Sequence, residues 1–211
     1  MNNILIKVEN LVKTFGGLVA LNDCSLEIKD KAITGIIGPN GSGKTTLFNV
    51  ITGNLKPDTG KVFYNGVEIT NEESHDLFHL GVLRTFQIAH EFSNMTVIEN
   101  LMVVPGNQKG EKLLYSLMNS QKIKKEDELI KDKAMEVLKF LKIEHLKNER
   151  AGNLSGGQKK LLELARTMMV DAKIVFLDEV GAGVNKTLLR DISDSILKLN
   201  QDKGYTFCMI E

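Results

Sequence analysis

The stretch Ala32-Ile33-Thr34-Gly35-Ile36-Ile37-Gly38-Pro39-Asn40-Gly41-Ser42-Gly43-Lys44-Thr45 decides the fold of this 211-residue chain. Its first six residues predict a buried strand, the next eight a glycine-rich loop, and residues 45–52 a helix that Gly53 ends. A strand that enters a helix through such a loop is a building unit of α/β proteins. We therefore expect a largely parallel sheet packed against helices.

The remaining sequence predicts additions at both ends of this unit. Residues 4–9, 24–28 and 61–64 alternate like strands of an N-terminal antiparallel β region, whereas residues 97–103, 112–118 and 126–141 predict helices. The α/β pattern resumes with a helix at 158–169, a strand at 173–177, a helix at 186–199 and a strand at 205–210. We expect one domain over 1–211, with a core at 1–89 and 159–211 and a helical subdomain at about 90–158.

Composition limits the possible partners. The 27 basic and 27 acidic residues cancel, so no overall charge favours nucleic acid or anionic lipid. The two cysteines, Cys24 and Cys208, match no metal-ligand spacing and are expected to be reduced, which suits the cytoplasm. No window approaches the ~20 apolar residues of a membrane span, and the N-terminus lacks the apolar run of a signal peptide.

Residues 38–45 fit the pattern Gly-x-x-x-x-Gly-Lys-Ser/Thr between a predicted strand and a predicted helix, which identifies a phosphate-binding loop. Glycines let backbone N–H groups converge on phosphate oxygens, and the helix N-terminus adds a positive dipole. Lys44 is expected to contact the β- and γ-phosphates, and Thr45 to ligate Mg²⁺. The residues predicted to bind the nucleotide here are Gly38, Pro39, Asn40, Gly41, Ser42, Gly43, Lys44, Thr45 and Thr46.

Two adjacent carboxylates, Asp178 and Glu179, follow the apolar run at 174–177. Open α/β sheets bind ligands at the carboxyl ends of their strands. Metal-assisted hydrolysis needs one carboxylate that holds Mg²⁺ directly or through water, and one base that polarises the attacking water. We assign the first role to Asp178 and the second to Glu179. The alternative is a solvated acidic strand end, which is disfavoured by the phosphate-binding loop upstream.

A second glycine-rich turn, Leu154-Ser155-Gly156-Gly157-Gln158, precedes the predicted helix at 158–169. A Ser hydroxyl and two glycine N–H groups at a helix start can bind an anion, assisted by the helix dipole. The alternative is an ordinary capped helix after a loop. A chance occurrence of these five residues is rare at average composition.

These three motifs resemble those of the nucleotide-binding subunits of ABC transporters, and the resemblance covers essentially all 211 residues. Within that family the chain is most similar to the branched-chain amino-acid importer ATPases, on the stretches Thr14-Phe15-Gly16-Gly17, Leu83-Arg84-Thr85-Phe86-Gln87 and residues 95–101. The resemblance implies the ABC ATPase fold: a P-loop NTPase core with a mainly parallel sheet, an N-terminal antiparallel β region and an inserted helical subdomain.

The resemblance also implies roles for further residues. Phe15 matches the aromatic residue that stacks on adenine, and Gln87 matches the glutamine that senses Mg²⁺ and the attacking water. Without the resemblance, Phe15 would be an ordinary core aromatic and Gln87 a polar strand end. Residues 90–95 would face the coupling helix of a membrane partner. Ser155, Gly156, Gly157 and Gln158 would contact the ATP bound by a second subunit.

The chain departs from the family pattern at several positions. Val180 stands where the family usually has proline, and Asn185 where many relatives have aspartate, although the branched-chain group commonly has asparagine there. Family members also have a histidine that contacts the γ-phosphate after the strand matching 205–210, and this sequence ends at Glu211. His75, His79, His90 and His145 cannot take that position. We therefore expect a C-terminally truncated chain whose own ATPase activity is uncertain.

The implied function is ATP hydrolysis that powers import of a small solute, such as a branched-chain amino acid or a related amide. The expected cofactors are ATP and Mg²⁺. The expected partners are a second ABC ATPase subunit, identical or paralogous, transmembrane permease subunits and, indirectly, a solute-binding protein, but no nucleic acid. The chain would lie at the cytoplasmic face of the membrane. The alternatives are lipid or lipopolysaccharide extraction, a soluble ABC ATPase of DNA repair or translation, and a non-catalytic nucleotide-binding regulatory module.

Overall fold

The computed structural model describes residues 3–85, 91–106, 108, 120–178, 181 and 184–211. The described strands are β1 (Ile4–Phe15), β2 (Leu18–Lys29), β3 (Ile33–Ile36), β4 (Thr59–Tyr64), β5 (Val67–Glu68), β6 (Val82–Arg84), β7 (Ile174–Asp178) and β8 (Thr206–Ile210). The described helices are α1 (Lys44–Ile51), α2 (Ser74–His79), α3 (Val97–Met102), α4 (Ser120–Phe140), α5 (Gly156–Met168) and α6 (Lys186–Lys203). The predicted helix at 112–118 lies outside the described residues.

Two sheets organise the strands. One is antiparallel with the order β2-β1-β4-β5, and the other is parallel with the order β3-β8-β7-β6. The consecutive antiparallel strands are joined by short turns, as in Asn65-Gly66 between β4 and β5, where both residues have the positive φ of a type I′ hairpin. The parallel strands are connected through helical segments, as parallel pairing requires. This architecture confirms the predicted fold class.

The hairpin of β1 and β2 is longer than the sequence predicts. Each strand has 12 residues, whereas the predicted strands end at Glu9 and begin at Cys24. The pairing continues through a register shift beside Asn10, whose φ is 50°. The Asn10 backbone N–H donates to Ser25 Oγ (2.9 Å), and its side-chain amide donates to Asp23 (2.6 Å). A bulge of this kind interrupts the alternation of the sequence without ending the strand.

Helix α1 packs its apolar face into a core that it shares with both sheets. Leu47, Phe48, Val50 and Ile51 are buried, and the Phe48 ring meets that of Phe176 edge to face, with centroids 4.9 Å apart. The cluster also contains Ile6, Val8 and Leu11 from β1, Val62 from β4 and Cys208 and Ile210 from β8. Edge-to-face aromatic contacts add to the free energy of apolar burial. The helix that follows the phosphate-binding loop is therefore held firmly against the strands.

The helices α3, α4 and α5 pack together through buried apolar side chains. Leu101, Leu138 and Leu161 are almost fully buried, and the Lys133 ammonium of α4 donates to the carbonyl of Met169, just past α5 (2.9 Å). Helix α4 is charged on its outer side, where Leu129 is 70% exposed. Of the described helices, none is both long enough and apolar enough to span a membrane.

The chain divides into two compact units. The first comprises Met1–Gln87, Ala172–Ala182 and Ile196–Glu211, and the second comprises Ile88–Asp171 and Gly183–Ser195. Helix α5 and the first part of α6 therefore group with the helical residues. The bounds expected from the sequence, a core at 1–89 and 159–211 and a helical subdomain at about 90–158, remain a prediction.

Packing of α4 can be tested with two leucines on the same helix. We expect Leu138→Ala to lower the free energy of unfolding by about 2–5 kcal/mol, because it leaves a cavity at a fully buried position. The matched control Leu129→Ala, at an exposed position, should change it by less than about 0.5 kcal/mol. Urea unfolding followed by circular dichroism measures both. Equal losses for the two variants would contradict the described orientation of α4.

Candidate functional site

The loop between β3 and α1 depends on glycines for its backbone path. Gly41 and Gly43 have φ values of 81° and 90°, a region that disfavours residues with a Cβ atom. A Cβ atom at Gly43 would also lie 2.3 Å from the carbonyl oxygen of Ala20 in β2. The antiparallel sheet therefore packs directly against the start of α1. These constraints hold the loop in one shape.

Lys44 provides the positive charge of this loop. Its ammonium donates to the carbonyl oxygens of Gly38 (2.6 Å) and Pro39 (3.0 Å), which are neutral acceptors and leave the charge uncompensated there. The α1 dipole adds positive potential at the same end of the helix. Pro39, Asn40, Gly41, Ser42 and Thr45 are exposed, so their polar groups are accessible. The loop fits a phosphate group in both charge and accessibility.

Asp178 lies at the carboxyl end of β7, at the same level as the end of β3. In the parallel sheet Ile36 pairs with Ile210, and Ile210 pairs with Asp178. Two strand spacings separate Ile36 from Asp178, a distance of about 10 Å. The Asp178 side chain is 2% exposed, and its Oδ2 accepts a hydrogen bond from Arg84 (2.7 Å). The register thus brings this carboxylate to the edge of the sheet where the phosphate-binding loop begins.

Both predicted residues that would act on the attacking water, Glu179 and Gln87, lie outside the described residues, as does Val180. The nearest described residues before Glu179 and Gln87 are Asp178 and Thr85. Asp178 ends β7 immediately before Glu179, and the Thr85 backbone N–H donates to the carbonyl of Phe176 (2.9 Å), which extends the pairing of β6 with β7. The roles assigned to Glu179 and Gln87 from the sequence remain predictions.

Phe15 lies at the tip of the β1–β2 hairpin, and its side chain is 49% exposed. Asp58 holds this tip: it accepts from the Lys13 ammonium (2.8 Å), the Thr14 hydroxyl (2.6 Å) and the Thr14 backbone N–H (2.7 Å). These hydrogen bonds, first that of Lys13 and then those of Thr14, lower the pKa of Asp58 to about 2. From the sequence, only a turn could be predicted at Asp58, because its hydrogen-bond partners Lys13 and Thr14 lie more than forty residues earlier in the chain.

The second glycine-rich turn forms the N-terminus of α5. The Ser155 hydroxyl accepts from the Gln158 N–H (3.4 Å), and the Gln158 side chain accepts from the Ser155 N–H (2.9 Å), a reciprocal capping box. The two glycines differ. A Cβ atom at Gly157 would lie 2.1 Å from Leu188 Cδ2 and 3.4 Å from Val184 Cγ1, whereas one at Gly156 would meet nothing within 4 Å. Packing within the chain therefore explains Gly157 but not Gly156.

The segment 91–101 is fixed to helices of the second unit. Asn100 is fully buried; its amide oxygen accepts from the Phe92 N–H (2.8 Å), and its amide nitrogen donates to the Phe92 and Thr96 carbonyls. Glu91 pairs with Lys159 of α5 (2.7 Å). Burial is the largest single influence on the pKa of Glu91 and raises it, but the hydrogen bonds from Lys159, the backbone and Ser93, together with the charge of Lys159, outweigh burial and lower the pKa. The exposed Phe92 ring lies 5.5 Å from the guanidinium carbon of Arg166.

Asn185 caps helix α6. Its side-chain oxygen accepts from the Leu188 N–H (2.9 Å), and its carbonyl accepts from the Leu189 N–H (2.9 Å). Asparagine and aspartate serve this position about equally well. Asparagine in place of aspartate at position 185 therefore preserves the local structure.

Comparisons with known proteins identify the family of this chain. The family model described as "ABC transporter" matches residues 21–182. A probable branched-chain amino acid transport ATP-binding protein of Methanocaldococcus jannaschii is 46% identical over 207 residues, which span 98% of this chain and 79% of the relative. The chain therefore belongs to the ABC transporter family, as one of its ATP-hydrolysing cassettes.

Solved structures show the same fold. The ADP conformation of an ATP-binding cassette of an ABC transporter has a TM-score of 0.83 and 45% identity, and the match covers 99% of this chain and 81% of that one. The dimeric structure of a bacterial ABC transporter cassette has a TM-score of 0.78 and 25% identity over 98% of this chain and 87% of the other. The predicted nucleotide-binding character of the chain is thereby confirmed at the level of the family.

Two substitutions of Asn185 test whether its side chain stabilises the N-terminus of α6. We expect Asn185→Ala to lower the free energy of unfolding by about 1 kcal/mol, because an N–H of the first turn loses its acceptor. Asn185→Asp should retain stability, since a carboxylate accepts the same hydrogen bond and favours a helix N-terminus. Paired urea titrations measure the difference. If the two variants were equally destabilised, the capping role would be wrong.

Proposed function

We propose that this chain is the ATP-hydrolysing subunit of an importer for branched-chain amino acids or related amides. The observation that supports the hydrolytic part most strongly is the register of the parallel sheet, which places Asp178 level with the strand that enters the phosphate-binding loop. The name of the Methanocaldococcus jannaschii relative supports the choice of substrate.

Hydrolysis would proceed by positioning and charge neutralisation rather than by covalent chemistry. Lys44 and the N-terminus of α1 would bind the β- and γ-phosphates, and the exposed Phe15 would stack on the adenine. The Thr45 hydroxyl and the Asp178 carboxylate are hard oxygen donors of the kind that Mg²⁺ prefers. When bound, Mg²⁺ would neutralise charge that develops on the phosphate oxygens. Glu179 would polarise the attacking water, and Gln87 would orient it.

The second glycine-rich turn would bind the γ-phosphate of a nucleotide held by a partner subunit. Support comes from Gly156: none of the described residues lies within 4 Å of where its Cβ atom would be, so packing among them gives no reason for the absence of a side chain. A ligand that approaches from outside the chain would explain the glycine, since its N–H group must come close to an anion. A bacterial ABC transporter cassette that this chain resembles has a dimeric structure, which supports an assembly of two subunits. Each active site would then need two subunits, identical or paralogous.

The permease partner would contact the segment 91–95 at the cytoplasmic face of the membrane. Phe92 is half exposed and rests against Arg166, so it offers an apolar surface that the chain itself leaves uncovered. Asn100, together with the Glu91–Lys159 pair, holds this segment in place beside α5. A movement of α5 during ATP binding would therefore be transmitted to the permease. Substrate specificity would reside in the permease and in a solute-binding protein.

The hydrolytic role is tested by Glu179→Gln. We expect this variant to bind ATP with unchanged affinity, to accumulate as an ATP-bound dimer, and to lose turnover by a factor of about 10²–10⁴, because the base that polarises water is absent. Phosphate release and size-exclusion chromatography with ATP measure the two effects. Glu128→Gln, an exposed position on α4, is the matched control and should behave like the unaltered chain. Turnover by Glu179→Gln at the control rate would refute the role of Glu179.

A further inference from the structure

Arg84 connects three elements around the proposed Mg²⁺ site. It lies at the end of β6; its Nη2 donates to Asp178 Oδ2 at the end of β7 (2.7 Å), and its Nη1 donates to the side-chain oxygen of Asn49 in α1. The guanidinium carbon lies 6.0 Å from the centre of the Phe48 ring. The Arg84 side chain is 9% exposed, and that of Asp178 is 2% exposed. The Arg84 guanidinium and the Asp178 carboxylate are therefore both largely shielded from solvent.

Two of the three residues predicted to contact Mg²⁺, Asp178 and Thr45, are linked to this one guanidinium, and the third, Gln87, lies outside the described residues. Asp178 contacts it directly. Thr45 is four residues before Asn49 in α1, so the two side chains lie on the same face of the helix, one turn apart. Fixing Asn49 against Arg84 therefore fixes the rotation of α1 that presents the Thr45 hydroxyl.

We propose that Arg84 is a positioning residue for the metal site: its planar fork sets the position of the Asp178 carboxylate relative to the Thr45 hydroxyl. Asp178 Oδ2 accepts the hydrogen bond from Arg84, and the oxygens of Asp178 and Thr45 would hold Mg²⁺. The inference deepens the proposed function and rests on the assignment of Asp178 and Thr45 to Mg²⁺.

The chemistry of the site requires arginine in particular. A guanidinium presents donors in a fixed plane and can hold two acceptors at a set separation, whereas a lysine ammonium is a single point of charge on a flexible stem. The Nε atom of Arg84 is buried without a hydrogen-bond partner among the described residues. The two Nη groups of Arg84 instead donate to Asp178 and Asn49.

The role is tested by measuring how much Mg²⁺ strengthens ATP binding. Affinity for a fluorescent ATP analogue is measured in EDTA and in excess Mg²⁺, together with kcat, KM and Tm. For Arg84→Met and Arg84→Lys we expect affinity in EDTA to change by less than about twofold, because the phosphate-binding loop is intact. The gain in affinity from Mg²⁺ should fall about tenfold or more, as is typical when a residue that orients a metal ligand is lost.

The kinetic readouts separate positioning from stability. We expect kcat to fall by more than KM rises, with Arg84→Met more affected than Arg84→Lys. Asn49→Ala, which retains the contact of Arg84 with Asp178, should show a smaller loss of the same kind. Arg190→Lys, at an exposed position on α6, is the matched control. If Arg84→Met does not fold, Arg84→Lys and Asn49→Ala decide the question.

Two outcomes would overturn the proposal in distinguishable ways. If folded Arg84 variants kept both the Mg²⁺-dependent gain and kcat, while Tm alone fell, Arg84 would be a structural residue and the proposed function would stand. If the unaltered chain bound ATP with no gain from Mg²⁺, the assignment of Asp178 and Thr45 to the metal would fail, and the role of Arg84 with it.

Discussion

The pairing of β8 with both β3 and β7 is the constraint on which the site depends. Because all three strands are parallel and paired in register, Ile36, Ile210 and Asp178 end at one level of the sheet. The phosphate-binding loop starts from the first of these strands and the acidic dipeptide from the third. A shift of β8 by one residue would reverse its inward and outward faces and separate the two groups along the sheet.

Much of this arrangement could be predicted from the sequence, because it depends on neighbouring residues. The loop at 38–45 sits between its strand and its helix as expected, and Ser155 and Gln158 form the cap that their spacing indicates. The contacts that orient the groups could not be predicted. Arg84 and Asp178 are 94 residues apart, and Asp58 holds a hairpin tip 44 residues before it. The length of the β1–β2 hairpin was missed because the bulge at Asn10 breaks the alternation.

The glycines of the second turn illustrate how structure separates roles that the sequence leaves equal. Gly157 is required by the close approach of Leu188, whereas Gly156 faces open space. Packing among the described residues therefore leaves only the glycine at position 156 unexplained. The same distinction applies to Asn185 and Asn100: the first caps a helix at the surface, and the second is fully buried and fixes the segment from Phe92 to Thr96. Asn185 and Asn100 therefore both stabilise the backbone through hydrogen bonds of their side chains.

The central claim is that each active site combines the phosphate-binding loop of one chain with the second glycine-rich turn of another. Mixing a Lys44→Ala chain with a Gly156→Val chain and measuring ATP hydrolysis tests it most directly. Each variant alone should be inactive, because every site lacks one half. In a head-to-tail dimer, half of randomly mixed pairs contain both variants and one intact site, so the mixture should recover about a quarter of the unaltered rate. A mixture as inactive as its components would contradict the account.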